Sequence, residues 1–98
     1  MVRRVVWTVR ARFEFIDILE YWVFRNKSNT FSIKLNQLVR QQMKLVSEFP
    51  DIGRPTDISG LFIKVIQNYL IYYQFDDDAV YILTIRHTSR NPKTLRVK

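Results

Sequence analysis

The spacing of apolar residues predicts a helix over residues 11–25, preceded by a short β-rich run at residues 3–9. Steps of four, three and four residues place one apolar stripe on a single face of this helix, made of Ala11, Phe15, Ile18 and Trp22. Thr8 is placed to cap the helix, because its hydroxyl can accept a hydrogen bond from a free backbone N–H. We therefore expect the stripe to face the core, and with it both Trp7 and Trp22.

Two further apolar residues of this helix, Phe13 and Ile16, do not fit the stripe. Either the helix is covered on two sides, or an apolar strip is left open for a partner. We favour the first interpretation for the fold. Under the second interpretation, Phe13 and Ile16 are the candidate contacts with a binding partner.

A polar break at residues 26–29 separates this helix from a second one, which runs to about Phe49. The possible N-terminal caps of the second helix are Ser28, Asn29 and Thr30. Its predicted apolar face consists of Phe31, Leu35, Leu38, Gln42, Leu45, Val46 and Phe49. Two helices joined by a short polar turn form an antiparallel hairpin. Pro50 ends the second helix within a turn-rich linker at residues 49–55, where Gly53 supplies a permissive backbone.

The rest of the chain is β-rich. Three runs of strand length lie at residues 61–67, 69–75 and 80–87, and the acidic turn of residues 76–78 joins the last two. Alternation puts one set of side chains of the middle run on a common face: Tyr69, Ile71, Tyr73 and Phe75. Because a hairpin connects each neighbouring pair, the sheet should be antiparallel. The predicted fold is α+β in the order β-α-α-β-β-β, a single domain over residues 1–98 with an N-terminal helical hairpin packed on one face of a small antiparallel sheet.

Composition narrows the possible chemistry. The chain has no Cys, which excludes a disulfide framework, a thiolate zinc site and a cysteine nucleophile. It has no phosphate-cradling glycine loop and no nucleophile elbow, and the acidic run at residues 76–78 lacks the spacing of a calcium loop. We therefore predict no cofactor and no metal. A signal peptide and an apolar run of membrane-spanning length are both missing from the pattern, so we expect a cytoplasmic protein without a membrane partner.

The net charge of +7 makes a polyanion the natural partner, whether nucleic acid, the ribosome or an acidic protein. Residues 81–92 combine an apolar strand with the cations Arg86 and Arg90 and with His87. From residue 86 onward the chain has five Lys or Arg, one His and no acid. A strand held in a sheet fixes such side chains in space, as binding to an anion requires. Alternatively, this end is ordinary solvated surface, and His87 hydrogen-bonds a neighbouring backbone group.

Four short patterns follow one another along the chain. They are A-x-x-E-F-x-x-I-x-x-Y (Ala11, Glu14, Phe15, Ile18, Tyr21), FP-x-x-GRP (Phe49, Pro50, Gly53, Arg54, Pro55), NY-x-I-x-Y (Asn68, Tyr69, Ile71, Tyr73) and I-x-H-x-x-R-x-P (Ile85, His87, Arg90, Pro92). Together with the length and the charge, they resemble the RelE/ParE superfamily of bacterial toxins over nearly the whole chain. The resemblance implies the toxin of a type II toxin–antitoxin module, a growth inhibitor linked to plasmid stabilisation and held silent in a hetero-oligomer by its cognate antitoxin.

The superfamily divides by target: one branch cuts messenger RNA on the ribosome, and the ParE branch poisons DNA gyrase. RNA cleavage would need an acid/base and a cation on the phosphate, and the resemblance assigns these roles to His87 and Arg90 in a metal-free 2′-hydroxyl transesterification. Two departures weaken this assignment. Leu70 stands where the nuclease branch has an arginine, and no tyrosine follows Tyr81. We therefore favour a ParE-like gyrase inhibitor over a RelE-like ribosome-dependent mRNA endonuclease.

The candidate residues for binding the target or its phosphates are Lys64, Arg86, His87, Arg90 and Lys93. Lys64 lies mid-strand, so it extends either from the open face of the sheet or onto a basic surface groove. Phe13 and Ile16 are the candidate antitoxin contacts. A third hypothesis uses the same cations in a basic nucleic-acid-binding module without toxin activity, and its binding would fall steeply with salt.

Overall fold

The computed structural model describes residues 2–88, and its elements follow the predicted order. They are β1 (Arg4–Trp7), α1 (Val9–Asn26), α2 (Thr30–Glu48), a 3₁₀ turn (Pro50–Ile52), β2 (Arg54–Pro55), β3 (Phe62–Ile66), β4 (Tyr69–Phe75) and β5 (Ala79–His87). This confirms an α+β fold in which a helical hairpin precedes the last strands. The two-residue strand β2, inside the linker, adds to the predicted order. Among the described residues, no helix is long and apolar enough to cross a membrane.

The sheet is mixed, with the strand order β1-β5-β4-β3-β2. The pairs β2–β3, β3–β4 and β4–β5 are antiparallel, as predicted for strands joined by short turns. In contrast, β1 lies parallel to β5, from Arg4 opposite Ala79 to Trp7 opposite Ile82. The antiparallel prediction does not hold for this strand, because the hairpin argument applies only to strands that are consecutive in the sequence. Two helices separate β1 from the other strands.

Helix α1 begins and packs as its pattern predicts. The Thr8 hydroxyl accepts from the backbone N–H of Ala11 at 3.2 Å, which confirms the predicted cap. Ala11 and Phe15 are buried, and the rest of the stripe packs against the core from partly buried positions. Phe13 and Ile16 are 62% and 41% exposed, so the interpretation that α1 is covered on two sides is wrong.

Helix α2 buries a face slightly rotated from the predicted one. Its buried apolar residues are Leu35, Val39, Met43 and Val46. Phe31 and Leu38 pack against this core from partly buried positions, whereas Phe49 is 57% exposed because it lies just past the helix end. Asn29 occupies the N-cap position without a side-chain hydrogen bond, and the Ser28 hydroxyl accepts from the backbone N–H of Thr30 instead.

The core lies between the helices and one face of the sheet. Tyr69, Ile71 and Tyr73 are buried on that face of β4, with Phe75 partly buried beside them, which confirms the predicted alternation. Trp7 stacks on Phe15 with ring centroids 5.0 Å apart. These contacts bury the apolar surface that drives folding.

The linker after α2 closes one end of this core. The Tyr73 hydroxyl donates to the carbonyl oxygen of Pro50 at 2.7 Å and accepts from the backbone N–H of Gly53 at 3.0 Å. Gly53 has an ordinary extended backbone, with φ of −72°. Its lack of a side chain therefore matters for the close approach of Tyr73 and not for backbone freedom.

Candidate functional site

The candidate site is a groove at the end of β5 that the linker does not close. Strand β1 pairs with β5 only as far as Ile82, so the last residues of β5 continue without a strand on that side. Helix α1 runs alongside them. Between the helix and this strand end lies a groove with a volume of about 770 Å³, lined by Glu14, Asp17, Ile18, Tyr21, Trp22, Arg25, Tyr69, Ile85, Arg86 and His87.

Aromatic side chains support one wall of the groove. The indole N–H of Trp22 donates to the Tyr69 hydroxyl oxygen at 2.6 Å, which ties α1 to β4. Tyr69 lies opposite His87 in the β4–β5 ladder, and their rings meet edge to face with centroids 5.0 Å apart. The Trp22 ring in turn contacts the rings of Tyr21 and Phe31. The half-buried imidazole of His87 therefore packs against a cluster of aromatic side chains that contact one another.

A carboxylate ties α1 to β5 at the other end of the groove. Glu14 Oε1 accepts from the Thr84 hydroxyl at 2.6 Å and from the backbone N–H of Ile85 at 3.2 Å. Glu14 Oε2 forms an ion pair with the Arg10 guanidinium at 3.2 Å. This carboxylate links the helix to the strand immediately before Arg86 and His87.

The groove is mixed in charge. Two carboxylates, Glu14 and Asp17, line it together with Arg25 and the imidazole of His87, and Arg86 borders it at the strand end. Such a lining can donate hydrogen bonds to anionic or carbonyl oxygens and can bury an aromatic or aliphatic side chain between Tyr21 and the Trp22–Tyr69 pair. Within residues 2–88, no three His, Asp or Glu side chains converge as a metal site requires.

The structure brings together two of the five predicted target-binding residues. Both are at the groove: His87 lies on the helix-side face opposite Tyr69, whereas Arg86 lies opposite Leu70, so its side chain starts from the open face of the sheet. Lys64 is not at the groove: it lies on β3 opposite the buried Ile71, so its half-buried side chain starts from the helix-side face and not from the open face of the sheet. Arg90 and Lys93 lie outside the described residues.

Sequence reasoning missed most of the groove lining on α1. Glu14, Asp17, Tyr21 and Arg25 follow one another at steps of three, four and four residues, which places them on one helical face beside the apolar stripe that contains Ile18. Two of them, Glu14 and Tyr21, belong to the pattern A-x-x-E-F-x-x-I-x-x-Y. Their common face was a usable signal, but the position of β5 next to α1 was needed to show that they line a groove.

The opposite, outer face of α1 carries a second apolar stripe that is exposed. Its members recur with helical spacing and are Val9, Phe13, Ile16, Val23 and Phe24, with exposures of 71%, 62%, 41%, 39% and 84%. Helical geometry puts this stripe well away from both Ala11 and Phe15 on the core side. None of its members lines the groove, although Phe13 and Phe24 are helical neighbours of the groove residues Asp17 and Tyr21.

A helical hairpin on one face of a sheet, with the last strand ending beside the first helix, is the architecture of the RelE/ParE superfamily of toxins. The family model described as "ParE toxin of type II toxin-antitoxin system, parDE" matches residues 5–92, and the chain belongs to this family. No curated protein matches its sequence.

Solved structures that share the fold include two toxin–antitoxin systems. The chromosomal ParDE toxin–antitoxin system from P. aeruginosa superposes with a TM-score of 0.75 at 17% identity, covering 90% of this chain and 98% of that chain. The RelBE2 toxin–antitoxin complex from Mycobacterium tuberculosis gives a TM-score of 0.64 at 21% identity, covering 89% of this chain and 99% of that chain. At these identities the similarity describes the fold.

Proposed function

We propose that this chain is a cytoplasmic growth inhibitor that acts on DNA gyrase and is neutralised by a cognate antitoxin in a hetero-oligomer. The observation that carries the proposal is the match of the ParE toxin family to residues 5–92. The net charge of +7 is consistent with it, because a basic protein is attracted over a distance to an enzyme that is bound to DNA.

The proposed target-binding surface is the groove and the basic residues that follow it. Arg86 and His87 line the groove, and Arg90 and Lys93 continue the same basic stretch. Tyr69 and Trp22 fix the wall behind His87, so little side-chain freedom would be lost when a partner binds there. Lys64, on a different strand, would contribute only through the general positive field.

The alternative function is ribosome-dependent cleavage of messenger RNA. The fold similarity to RelBE2 and the accessible position of His87 keep this alternative in consideration. Against it, Leu70 stands on the open face of the sheet opposite Arg86, and it can neither donate to a phosphate nor carry charge. A nucleic-acid-binding module without toxin activity is the remaining possibility.

The proposal is tested by inducing the wild-type chain beside a His87→Ala, Arg90→Ala double variant. A Lys34→Ala, Lys44→Ala variant is the matched control, because it removes two exposed cations from α2 without touching the groove. We expect the wild type and the control to stop growth, and the double variant to be at least partly relieved. Gyrase supercoiling, trapped gyrase–DNA complexes and RNA integrity are measured in the same cultures.

The readouts separate the three functions. Trapped gyrase–DNA complexes with intact RNA support the proposal. Messenger RNA cleavage that requires ribosomes, with normal supercoiling, contradicts it in favour of the RelE-like nuclease. Salt-sensitive binding to DNA or RNA without a growth defect contradicts both toxin functions.

We assign the antitoxin contact to the outer face of α1, around Phe13 and Ile16. Both side chains are exposed, and they belong to an apolar stripe that recurs over the length of the helix. Exposed apolar side chains that share one helical face are typical of a protein–protein contact, although Glu20 interrupts this stripe between Ile16 and Val23. An antitoxin helix with an apolar face would bury it, which is recognition of a helix by a helix surface.

The antitoxin assignment is tested with a Phe13→Gln, Ile16→Gln variant and an Ile58→Gln control, since Ile58 is 56% exposed in the loop before β3. We expect the α1 variant to inhibit growth like the wild type but to bind the cognate antitoxin at least about tenfold more weakly. Neutralisation in co-expression and affinity by calorimetry are the measurements. Wild-type affinity in the α1 variant would exclude this surface.

A further inference from the structure

The end of β5 has a neighbouring strand on one side only. On one side, β1 stops opposite Ile82. On the other side, the register with β4 shifts between Tyr72 and Tyr73, which pair with Thr84 and Ile82 and leave Leu83 without an opposite residue. From Thr84 to His87 the strand is therefore paired with β4 alone, and groups on its other side can add to its local stability.

The first turns of α1 take the place of the missing strand. The Thr8 backbone N–H and hydroxyl both donate to the carbonyl oxygen of Ile82, at 3.1 and 2.8 Å. Glu14 continues this line of contacts one step further, because its Oε1 accepts from the Thr84 hydroxyl and from the Ile85 backbone N–H. The backbone of β5 is thus hydrogen-bonded to the helix up to the residue before Arg86.

We propose that Glu14 is a positioning residue that holds the end of β5 and thereby sets the places of Arg86 and His87 in the groove. Its carboxylate suits this task, because one oxygen accepts two donors from the strand while the other faces Arg10. The Trp22–Tyr69 hydrogen bond joins α1 to β4, whereas Glu14 hydrogen-bonds directly to β5 at Thr84 and Ile85. The role of Glu14 in inhibition rests on the proposed function; its role in holding the strand does not.

The chemistry distinguishes two substitutions. Glu14→Ala removes both acceptors and leaves the Ile85 N–H without its partner. Glu14→Gln keeps one carbonyl oxygen for Thr84 and Ile85, but turns an amide donor toward the Arg10 guanidinium. The Gln variant should therefore hold the strand end better than the Ala variant and less well than the wild type.

The structural test is amide hydrogen exchange of the isolated chain, followed by NMR, with Glu48→Ala as the control that removes an exposed carboxylate from the end of α2. In Glu14→Ala we expect the Ile85 amide to exchange about tenfold faster or more, the His87 ring resonances to shift, and the Met43 amide of the core to keep its rate. Glu14→Gln should be intermediate. An unchanged Ile85 amide, or equal acceleration at Ile85 and Met43, would overturn the proposal.

The functional test is inhibition of growth at graded expression. We expect Glu14→Ala to need about tenfold more protein than the wild type for the same inhibition, with Glu14→Gln between them. If Ile85 exchanges faster in Glu14→Ala and inhibition stays at the wild-type level, the positioning role is wrong. If the wild type itself fails to inhibit, the proposed function fails, and the exchange measurement still decides whether Glu14 holds the strand.

Discussion

Tyr73 and Tyr69 lie four residues apart on the same face of β4, yet their hydroxyl groups have opposite surroundings. The Tyr73 side chain is completely buried, and its hydroxyl is used twice by the backbone of the linker, at Pro50 and Gly53. The Tyr69 hydroxyl accepts from the Trp22 indole, and its ring lines the groove beside His87. The end of the core at Tyr73 is therefore closed by the linker backbone, and we call it the sealed end. The end at Tyr69 opens into the groove, and we call it the open end.

The difference shows how the domain separates stability from binding. At the sealed end, the tyrosine satisfies two buried backbone groups that water cannot reach, so any change leaves an unpaired polar group. Burial also raises the pKa of Tyr73, partly opposed by the hydrogen bond from Gly53. At the open end, water or a partner can replace a lost contact. We expect substitutions at the sealed end to affect folding and those at the open end to affect binding.

The largest expected effect is that of Gly53→Ala. An added Cβ would overlap the Tyr73 hydroxyl and lie 2.9 Å from its Cε1 and 3.0 Å from the Ile63 carbonyl oxygen. We expect a loss of about 3 kcal/mol in the free energy of unfolding, from overpacking and from displacement of the buried hydrogen bond. Urea denaturation measures it.

Gly60→Ala is the control for this prediction. Gly60 has a φ of +82° and no atoms within 4 Å of an added Cβ, so its cost is backbone strain alone, about 1 kcal/mol. Equal losses in the two variants would show that Tyr73 does not seal the linker.

The next prediction compares the loss of a tyrosine hydroxyl at two positions of β4, Tyr73 and Tyr69. Tyr73→Phe removes the donor to Pro50 and the acceptor from Gly53, and should cost about 2 kcal/mol. Tyr69→Phe removes only an acceptor next to an open groove, where water can take its place, and should cost about 0.5 kcal/mol. Chemical denaturation of both variants under one condition gives the ratio. A larger loss for Tyr69→Phe would reverse the comparison.

The sealed hydroxyl also predicts a loss of stability in alkali. Because burial raises the pKa of Tyr73 above its usual value of 10.0, the unfolded chain loses this proton before the folded one. The stabilisation by the protonated Tyr73 hydroxyl is complete below pH 10 and is lost as the pH rises through the pKa of Tyr73 in the folded state. We expect Tyr73→Phe to be less stable at pH 8 but to lose less stability than the wild type between pH 9 and about pH 11. Parallel slopes would contradict a protonated, buried Tyr73.

Local patterns were enough to predict the elements of this fold, because each element has its own period. The α1 stripe, the Thr8 cap and the alternation along β4 depend on residues close in sequence, and the structure confirms all three. The buried face of α2 was predicted less well. Val39 and Met43 point to the core there, and a face containing Gln42 and Phe49 does not.

The site was harder to predict, because it depends on which elements are neighbours. The strand-end residues Arg86 and His87 were found from their charge and position, and they do line the groove. The contribution of Glu14 could not be found, since it requires that β1 stop at Trp7 and that α1 continue along β5. The spacing of residues in a single sequence predicts which face of a helix is apolar, but it does not predict which strand lies next to that helix.

The smallest expected effect is at the surface, where the hydroxyl of a third tyrosine, Tyr81, is hydrogen-bonded to Asp76. The Tyr81 hydroxyl donates to Asp76 Oδ2 at 3.2 Å, while Asp76 Oδ1 accepts from the backbone N–H groups of Asp78 and Ala79 at 2.8 and 2.9 Å. These backbone hydrogen bonds lower the pKa of Asp76 below its usual value of 3.8. A lowered pKa means that the folded state binds the proton less readily than the unfolded chain. The stabilisation is therefore present above pH 3.8 and is lost as the pH falls through the folded pKa.

Asp76→Asn keeps an acceptor oxygen for the turn but removes the charge, and Asp77→Asn is the control from the same turn. We expect the thermal midpoint of Asp76→Asn at pH 7 to fall slightly below that of the wild type, and the difference to shrink as the pH approaches about 3. Calorimetry at several pH values measures it. Because Asp76 is at the surface, solvent screening keeps the change smaller than that of Tyr73→Phe. An equal loss of stability in Asp76→Asn and Tyr73→Phe would contradict this expectation. It would mean that an exposed hydrogen-bonded group contributes as much to stability as a buried one, and burial could then not explain the difference between Tyr73 and Tyr69.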